Sequence, residues 1–163
     1  MTSAPIDYRR VVEEHQGLVY GLALSRTGNK FDADDVFQDV FLIYFRKNIA
    51  FRDDEHRKAW LIRTTLNCSK RVLHSTWRRK TAPLEESHGL TYQFTSGEEN
   101  EVFLALRELP EKYRMVLHLF YFEDLPTEQI ANVLGISGAN VRMRLKRGRD
   151  MMREIIKEEY NFE

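Results

Sequence analysis

Apolar residues recur at helical spacing along almost the whole of this chain, and the pattern breaks once, between Thr81 and Gly97. Val11, His15, Leu18, Val19 and Leu22 share one face of a first predicted helix. Val36, Phe37, Val40, Phe41 and Tyr44 do the same on a second, with Asp32 expected as its N-cap. A third predicted helix, from about His56 to Arg79, puts Ala59, Ile62, Leu66, Ser69 and Leu73 on its buried stripe. Beyond the break, Val102, Ala105, Leu106 and Leu109 predict a helix. Pro110 opens the next, whose core stripe reads Tyr113, Val116, Leu117, Phe120 and Tyr121. No segment alternates convincingly at period two, so the expected fold is all-α.

The break itself carries Pro83, Gly89, Gly97 and a scatter of Ser, Thr and Glu. It reads as an irregular flexible connection between two small helical domains, 1–80 and 98–163, with residues 81–97 as the linker. Extended at about 3.3 Å per residue, such a linker reaches on the order of 50 Å, so the two halves need not touch. Charge follows the same division. The net charge is +0, yet Thr81 to Leu106 holds no lysine or arginine and includes Glu85, Glu86, Glu98, Glu99 and Glu101. Basic residues gather before it (Arg57, Lys58, Arg63, Lys70, Arg71, Arg78, Arg79, Lys80) and after it (Arg142, Arg144, Lys146, Arg147, Arg149). Two separate cationic surfaces are expected, each suited to phosphate.

Several function classes find no support. No apolar run approaches the roughly 18 residues that span a bilayer, and MTSAPIDYRRVVEE lacks the apolar core of a signal peptide; the expectation is a cytoplasmic protein without membrane insertion. The single cysteine, Cys68, cannot form an internal disulfide and reads as a small packing residue rather than a redox sensor. His15, His56, His74, His88 and His118 show no paired metal-binding spacing, and the DADD at Asp32 to Asp35 lacks the glycine and distal glutamate of a calcium loop. With no Gly-rich phosphate loop and no nucleophile beside an evident base, the expectation is a non-enzyme with no catalytic residue, metal, cofactor or small-molecule substrate.

The stretch LPTEQIANVLGISGANVRMRLKRGRDMMREI reads as a helix-turn-helix. A short helix from Thr127 to Leu134 meets Gly135, which can take the φ > 0 turn conformation, and Ser137 can cap a longer second helix. Ala131 is small enough to let the two helices cross closely, and Ile130, Leu134, Ile136, Val141 and Leu145 lock them together. Opposite project Ala139, Arg142, Met143, Lys146 and Arg147, suited to base edges and phosphates of a major groove.

Two longer motifs resemble the sigma-70 family, specifically its compact extracytoplasmic-function group, and together they cover almost all of the chain. DADDVFQDVFLIYFRK, followed by FRDDEHRKAWLIRTTLNCSKRVL, is similar to the family's second conserved region. LRELPEKYRMVLHLFYFEDLPTEQIANVLGISGANVRMRLKRGR is similar to its fourth. Their order, joined by an acidic linker with no recognisable third-region domain, is that of the compact group.

The resemblance implies an alternative sigma factor that binds core RNA polymerase and promoter DNA and answers to an anti-sigma factor. Asp35, Gln38, Asp39 and Phe41 would lie on or near the helix that docks on the clamp coiled coil of the polymerase β′ subunit; the β flap would be a second contact. Phe51 to Arg57 matches the loop that captures an unpaired base of the −10 element. Phe51, Arg52, His56, Arg57, Lys58, Arg63, Asn67, Lys70, Arg71 and Arg78 would hold the opened strand, by stacking, amide readout and phosphate neutralisation. Trp60 is read as core rather than as a stacking platform. Ser137, Ala139, Asn140, Arg142, Met143, Arg144, Lys146 and Arg147 would meet the −35 duplex. The acidic linker resembles the segment that threads polymerase channels near nascent RNA, and equally fits a solvated tether.

Two departures bear on specificity. His56, Arg57 and Lys58 stand where many members carry aromatics, and Ala139 and Asn140 replace the usual Gly-Thr. Asn140 can hydrogen-bond a phosphate or an adenine. A polymerase-independent helix-turn-helix regulator is the competing reading, but the N-terminal half has a docking helix and a strand-capture loop where a repressor would have a ligand or dimerisation domain. A protein-interaction adaptor that has lost promoter binding is disfavoured by the basic recognition helix.

Overall fold

The computed structural model describes residues 8–78 and 97–160; the side chains of 76–78, 97–100 and 159–160 fall outside that description. The expected linker, 81–97, and the basic pair Arg79 and Lys80 therefore lie outside the described residues apart from Gly97. The chain divides into two compact units, Met1–Tyr92 and Gln93–Glu163. Among the described residues every regular element is helical.

Unit 1 is a three-helix bundle of α1 (Tyr8–Thr27), α2 (Lys30–Lys47) and α3 (Asp54–Arg78), each packed on the other two. Its core joins Val19, Tyr20 and Ala23 of α1 to Val36, Phe37, Val40 and Phe41 of α2 and to Leu61 and Cys68 of α3. Each of these larger side chains contributes roughly 1.5–3 kcal/mol by leaving water. Between α1 and α2 the chain turns at Gly28, whose φ of +78° is a left-handed conformation that glycine adopts without a Cβ clash.

The N-cap of α2 is Asn29, not the expected Asp32. Asn29 Oδ1 accepts the Asp32 backbone N–H at 2.8 Å, and Asn29 Nδ2 donates to Asp32 Oδ2 at 2.7 Å. The two side chains form a reciprocal cap, so Asp32 serves the helix from inside its first turn. Helix α3 begins at Asp54, with Asp53 Oδ1 accepting the His56 N–H at 2.8 Å. Its buried line is Leu61, Ile62, Thr65, Cys68 and Ser69, while Ala59, Leu66 and Leu73 are only half-buried. Thr65 and Ser69 can occupy the core because each hydroxyl donates to the carbonyl one turn back, Leu61 at 2.6 Å and Thr65 at 2.7 Å. Ile62 and Ser69 are buried as expected, and the other three expected positions lie about one residue from the buried line.

Unit 2 comprises α4 (Gly97–Arg107), α5 (Glu111–Leu117), a π-helical turn (His118–Phe122), α6 (Thr127–Leu134) and α7 (Gly138–Tyr160). Phe103, Ala105, Leu106 and Leu109 enter its core; Val102, expected there, is exposed. The stripe predicted for α5 holds through Tyr113, Val116 and Leu117 and then fails. The π turn takes an extra residue per turn, which rotates His118 and Leu119 inward and leaves Phe120 half-buried and Tyr121 exposed. The tight crossing in this unit is at Gly148 of α7: a Cβ there would lie 2.9 Å from Leu117 Cδ1.

Candidate nucleic-acid interfaces

The turn between α6 and α7 forms as the sequence predicts. Gly135 ends α6 at φ +69°, Ile136 N–H donates to Ala131 O at 3.0 Å, and Ser137 Oγ accepts the Asn140 N–H at 3.1 Å. Ile130, Val141 and Leu145 are buried between the helices, with Leu134 and Ile136 half-buried beside them. That packing leaves Ala139, Arg142, Met143, Lys146 and Arg147 exposed together on the outer face of α7. Asn140 and Arg144 are half-buried on its flank, where Asn140 Oδ1 accepts the Arg144 Nε–H at 3.1 Å. The Arg147 guanidinium hydrogen-bonds the Tyr113 phenol and, aided by the nearby Lys112 charge, holds its pKa below the ordinary value. Lys112 Nζ sits 5.0 Å from the centre of the same ring. The outer face of α7 is thus a cationic surface whose side chains are already in place.

On unit 1, Arg63, Asn67, Lys70 and Arg71 are exposed along α3 together with His74, and Arg78 ends the helix with its side chain outside the described residues. Arg71 Nη2 lies 3.2 Å from Cys68 Sγ. Cys68 is fully buried, and burial pushes its thiol pKa up, so it is a packing residue and a poor nucleophile.

The preceding loop is more tightly built than the sequence suggests. Phe51 is stacked on Tyr44 with ring centres 5.8 Å apart, and His56 and Trp60 meet it edge-on at 5.3 and 5.9 Å. Trp60 also packs on the core, consistent with its reading as a core residue. Arg57 holds its guanidinium 5.3 Å from the Phe51 ring centre while Nη1 bonds Asp54 Oδ1 at 2.9 Å. His56 Nδ1 accepts the Arg52 N–H at 3.2 Å. Because α3 starts at Asp54, His56, Arg57 and Lys58 belong to its first turns rather than to the loop. Of the residues expected to hold the opened strand, Phe51, His56 and Arg57 therefore meet in one aromatic cluster, while Arg52 is exposed and Lys58 half-buried.

On α2, Asp35 and Gln38 face outward and Asp39 is half-buried. Asp34 is buried and takes a hydrogen bond from Tyr20; burial and this carboxylate push the phenol up to about 12. Phe41 is 4 % exposed and packs 4.8 Å from Phe37, so it shapes the helix from within and cannot itself touch a partner. Leu42, one residue on, is 51 % exposed. At i+4 and i+7 from Gln38 and Asp35 it shares their face, a spacing that was available in the sequence.

A second feature went unread. An apolar cleft of about 280 Å³ lies on unit 2, floored by Leu106, Leu117, Met152 and Ile156, flanked by Tyr121, and rimmed by Arg149 and Arg153. Tyr121 stands exposed on the π turn beside it, and Arg149 Nη1 meets the Tyr121 hydroxyl at 3.5 Å.

Comparison with known proteins divides along the same line. Residues 11–79 match the family model described as Sigma-70 region 2, and residues 99–152 the one described as Sigma-70, region 4. The RNA polymerase sigma factor SigV of Bacillus subtilis is 30% identical over 152 residues, 87% of this chain and 86% of that protein. The chain belongs to the sigma-70 family. Within it, similarity runs to the extracytoplasmic-function group: the ECF RNA polymerase sigma factor SigE of Mycolicibacterium smegmatis is 28% identical over 155 residues. That alignment takes in 90% of this chain, which spans 60% of the SigE length. The sigma-70 fold recurs in the sigma factor RpoE of Bartonella quintana, solved in complex with the anti-sigma factor NepR. The TM-score is 0.73 at 20% identity, covering 93% of this chain and 97% of that one.

In sigma-70 terms, region 2 falls on the bundle that carries the aromatic cluster, and region 4 on the unit that carries the helix-turn-helix. Among the described residues, no helix is long and apolar enough to cross a membrane, and no group of three His, Cys, Asp or Glu is placed to hold a metal ion.

Proposed function

We propose that this protein is an alternative sigma factor: it binds core RNA polymerase in the cytoplasm and directs promoter-specific initiation, with the bond-making chemistry left to the polymerase. Residues 1–80 form the domain that docks and melts, 81–97 the linker, and 98–163 the domain that reads the −35 duplex. One observation carries this reading. Each compact unit presents its own cationic surface, one beside an aromatic cluster and one on a capped recognition helix.

The two surfaces suit different forms of DNA. Phe51 and Tyr44 offer ring faces and edges to an unstacked base, Asn67 an amide, and Arg63, Lys70 and Arg71 cations for the adjacent phosphates. On α7 the exposed residues project as a rigid row that fits a major groove. Asp35, Gln38 and Asp39 present an acidic and amide face to the basic clamp coiled coil of β′, and Leu42 adds an apolar contact one turn further along it. The apolar cleft of unit 2 suits the β flap. An anti-sigma factor that covered either docking surface would hold the protein inactive.

Run-off transcription with purified core polymerase over a promoter library tests the proposal. The expected result is transcription from a defined subset of promoters, lost when the protein is left out and sharply reduced by Asp39→Arg. No promoter-dependent transcript under any condition would overturn it.

A further inference from the structure

Asn140 looks like a base reader, since asparagine can bond adenine through its carbonyl and amino groups at once. Its carbonyl already accepts one hydrogen bond from within the protein, which fixes the orientation of the amide. Arginine has no acceptor, so the Asn140 atom 3.1 Å from Arg144 Nε must be the oxygen. What remains facing away is the Asn140 NH₂ and the two terminal nitrogens of Arg144, which donate to no other protein group among the described residues. The pair therefore shows a surface dominated by donors, with one positive charge and one spare lone pair on the Asn140 oxygen.

Position adds a second constraint. Val141, Leu145 and Gly148 mark the buried side of α7, and Ala139, Met143 and Lys146 the side opposite. At 100° per residue, Asn140 and Arg144 fall between the two, and both are half-buried there. A helix lying in a major groove about 12 Å wide aims its outermost side chains at base edges; its flanks face the sugar-phosphate walls.

We infer that Asn140 and Arg144 act as one unit, a phosphate clamp on the flank of the recognition helix, with Asn140 as the positioning residue that orients the Arg144 guanidinium. Sequence choice then rests on the residues of the exposed row, and the Asn140–Arg144 pair contributes affinity without base preference. The inference depends on the reading of α7 as the helix that enters duplex DNA.

The test uses the holoenzyme, assembled from the full chain and core polymerase, on duplexes randomised in the upstream element and over a range of salt. Arg144→Ala should weaken binding about tenfold, the scale of one charge-assisted hydrogen bond, and lower the salt slope by about one. Asn140→Ala should weaken it less, by roughly threefold, and the double variant should be little worse than Arg144→Ala alone, because the two act through one contact. Arg144→Lys should recover the salt slope but not the full affinity, because lysine lacks the Nε–H that Asn140 holds. In every variant the ranking of bases along the element should match the wild type. A changed base preference at any one position, an additive double variant, or full affinity in Arg144→Lys would overturn the clamp. A wild-type holoenzyme with no preference anywhere in the element would overturn the reading of α7 itself, and the clamp with it.

Discussion

The two cationic surfaces differ in how far they are committed before any nucleic acid arrives. On α7, Arg142, Lys146 and Arg147 stand exposed in a row fixed by the buried Val141 and Leu145 behind them, Arg147 steadied further by its hydrogen bond to Tyr113. On unit 1 the loop residues are engaged with one another: Phe51 is covered by Tyr44, Arg57 is bonded to Asp54, and His56 takes the Arg52 amide. Duplex DNA brings a regular groove to which a rigid row can be matched in advance. A single strand brings bases that must be unstacked, so the surface receiving them has to exchange ring–ring contacts within the protein for ring–base contacts.

Several measurements would break or sharpen this contrast. The largest effect is on unit 1 itself: Leu61 is fully buried, and Leu61→Ala should cost about 2–5 kcal/mol of that unit's stability. Labelling of the buried Cys68 by a thiol reagent reports it, slow in the wild type and accelerated by the substitution, because the thiol is reached only when the bundle opens. Unchanged labelling would mean that the bundle is not what buries Cys68. Next comes docking. Asp39→Arg puts a like charge against a basic partner and should weaken core-polymerase binding by about 3 kcal/mol, leaving duplex binding by α7 intact; equal affinity for both proteins would remove α2 from the interface.

The smallest effect separates the units by the sign of their alkaline response. The Tyr20 phenol is raised to about 12, so its contribution to unit 1 is complete below the ordinary value near 10 and is lost as pH rises from there through about 12. Tyr20→Phe should abolish that decline. Tyr113 in unit 2 is shifted the other way, chiefly by the Arg147 hydrogen bond, so its ionisation adds stability above the ordinary phenol range that is lost as pH falls through its lowered value. Hydrogen exchange followed separately in the two units from pH 9 upward would register the opposite trends, and parallel trends would contradict them.

Much of this was legible in the residues. The helix-turn-helix could be read almost residue by residue, because Gly135 and Ser137 act through local backbone geometry that does not depend on the rest of the fold. The three helices of unit 1 followed from spacing alone. Phe41 and Leu42 show spacing outperforming resemblance: the helical stripe already put Phe41 with Phe37 on the core face and Leu42 with Asp35 and Gln38 on the other, and the structure keeps them there. The π turn was invisible, since one extra residue in a helix leaves no mark in the order of HLFYF. The cleft beside Tyr121 was no more visible, since its lining comes from residues far apart in the chain. Gly148 sat among arginines and resembled surface, although a side chain there would strike Leu117.

The division of labour between the units can be tested by one comparison of holoenzymes on two ligands, a single-stranded oligonucleotide carrying the −10 sequence and a duplex carrying the −35 element. Phe51→Ala, with Arg63→Ala as an exposed control for the same surface, should weaken the single strand by about 1–3 kcal/mol and leave the duplex unchanged. Arg147→Ala or Lys146→Ala should do the reverse, at about 1–3 kcal/mol for the duplex. If each substitution weakened both ligands by the same factor, the two surfaces would not be separate readers of DNA.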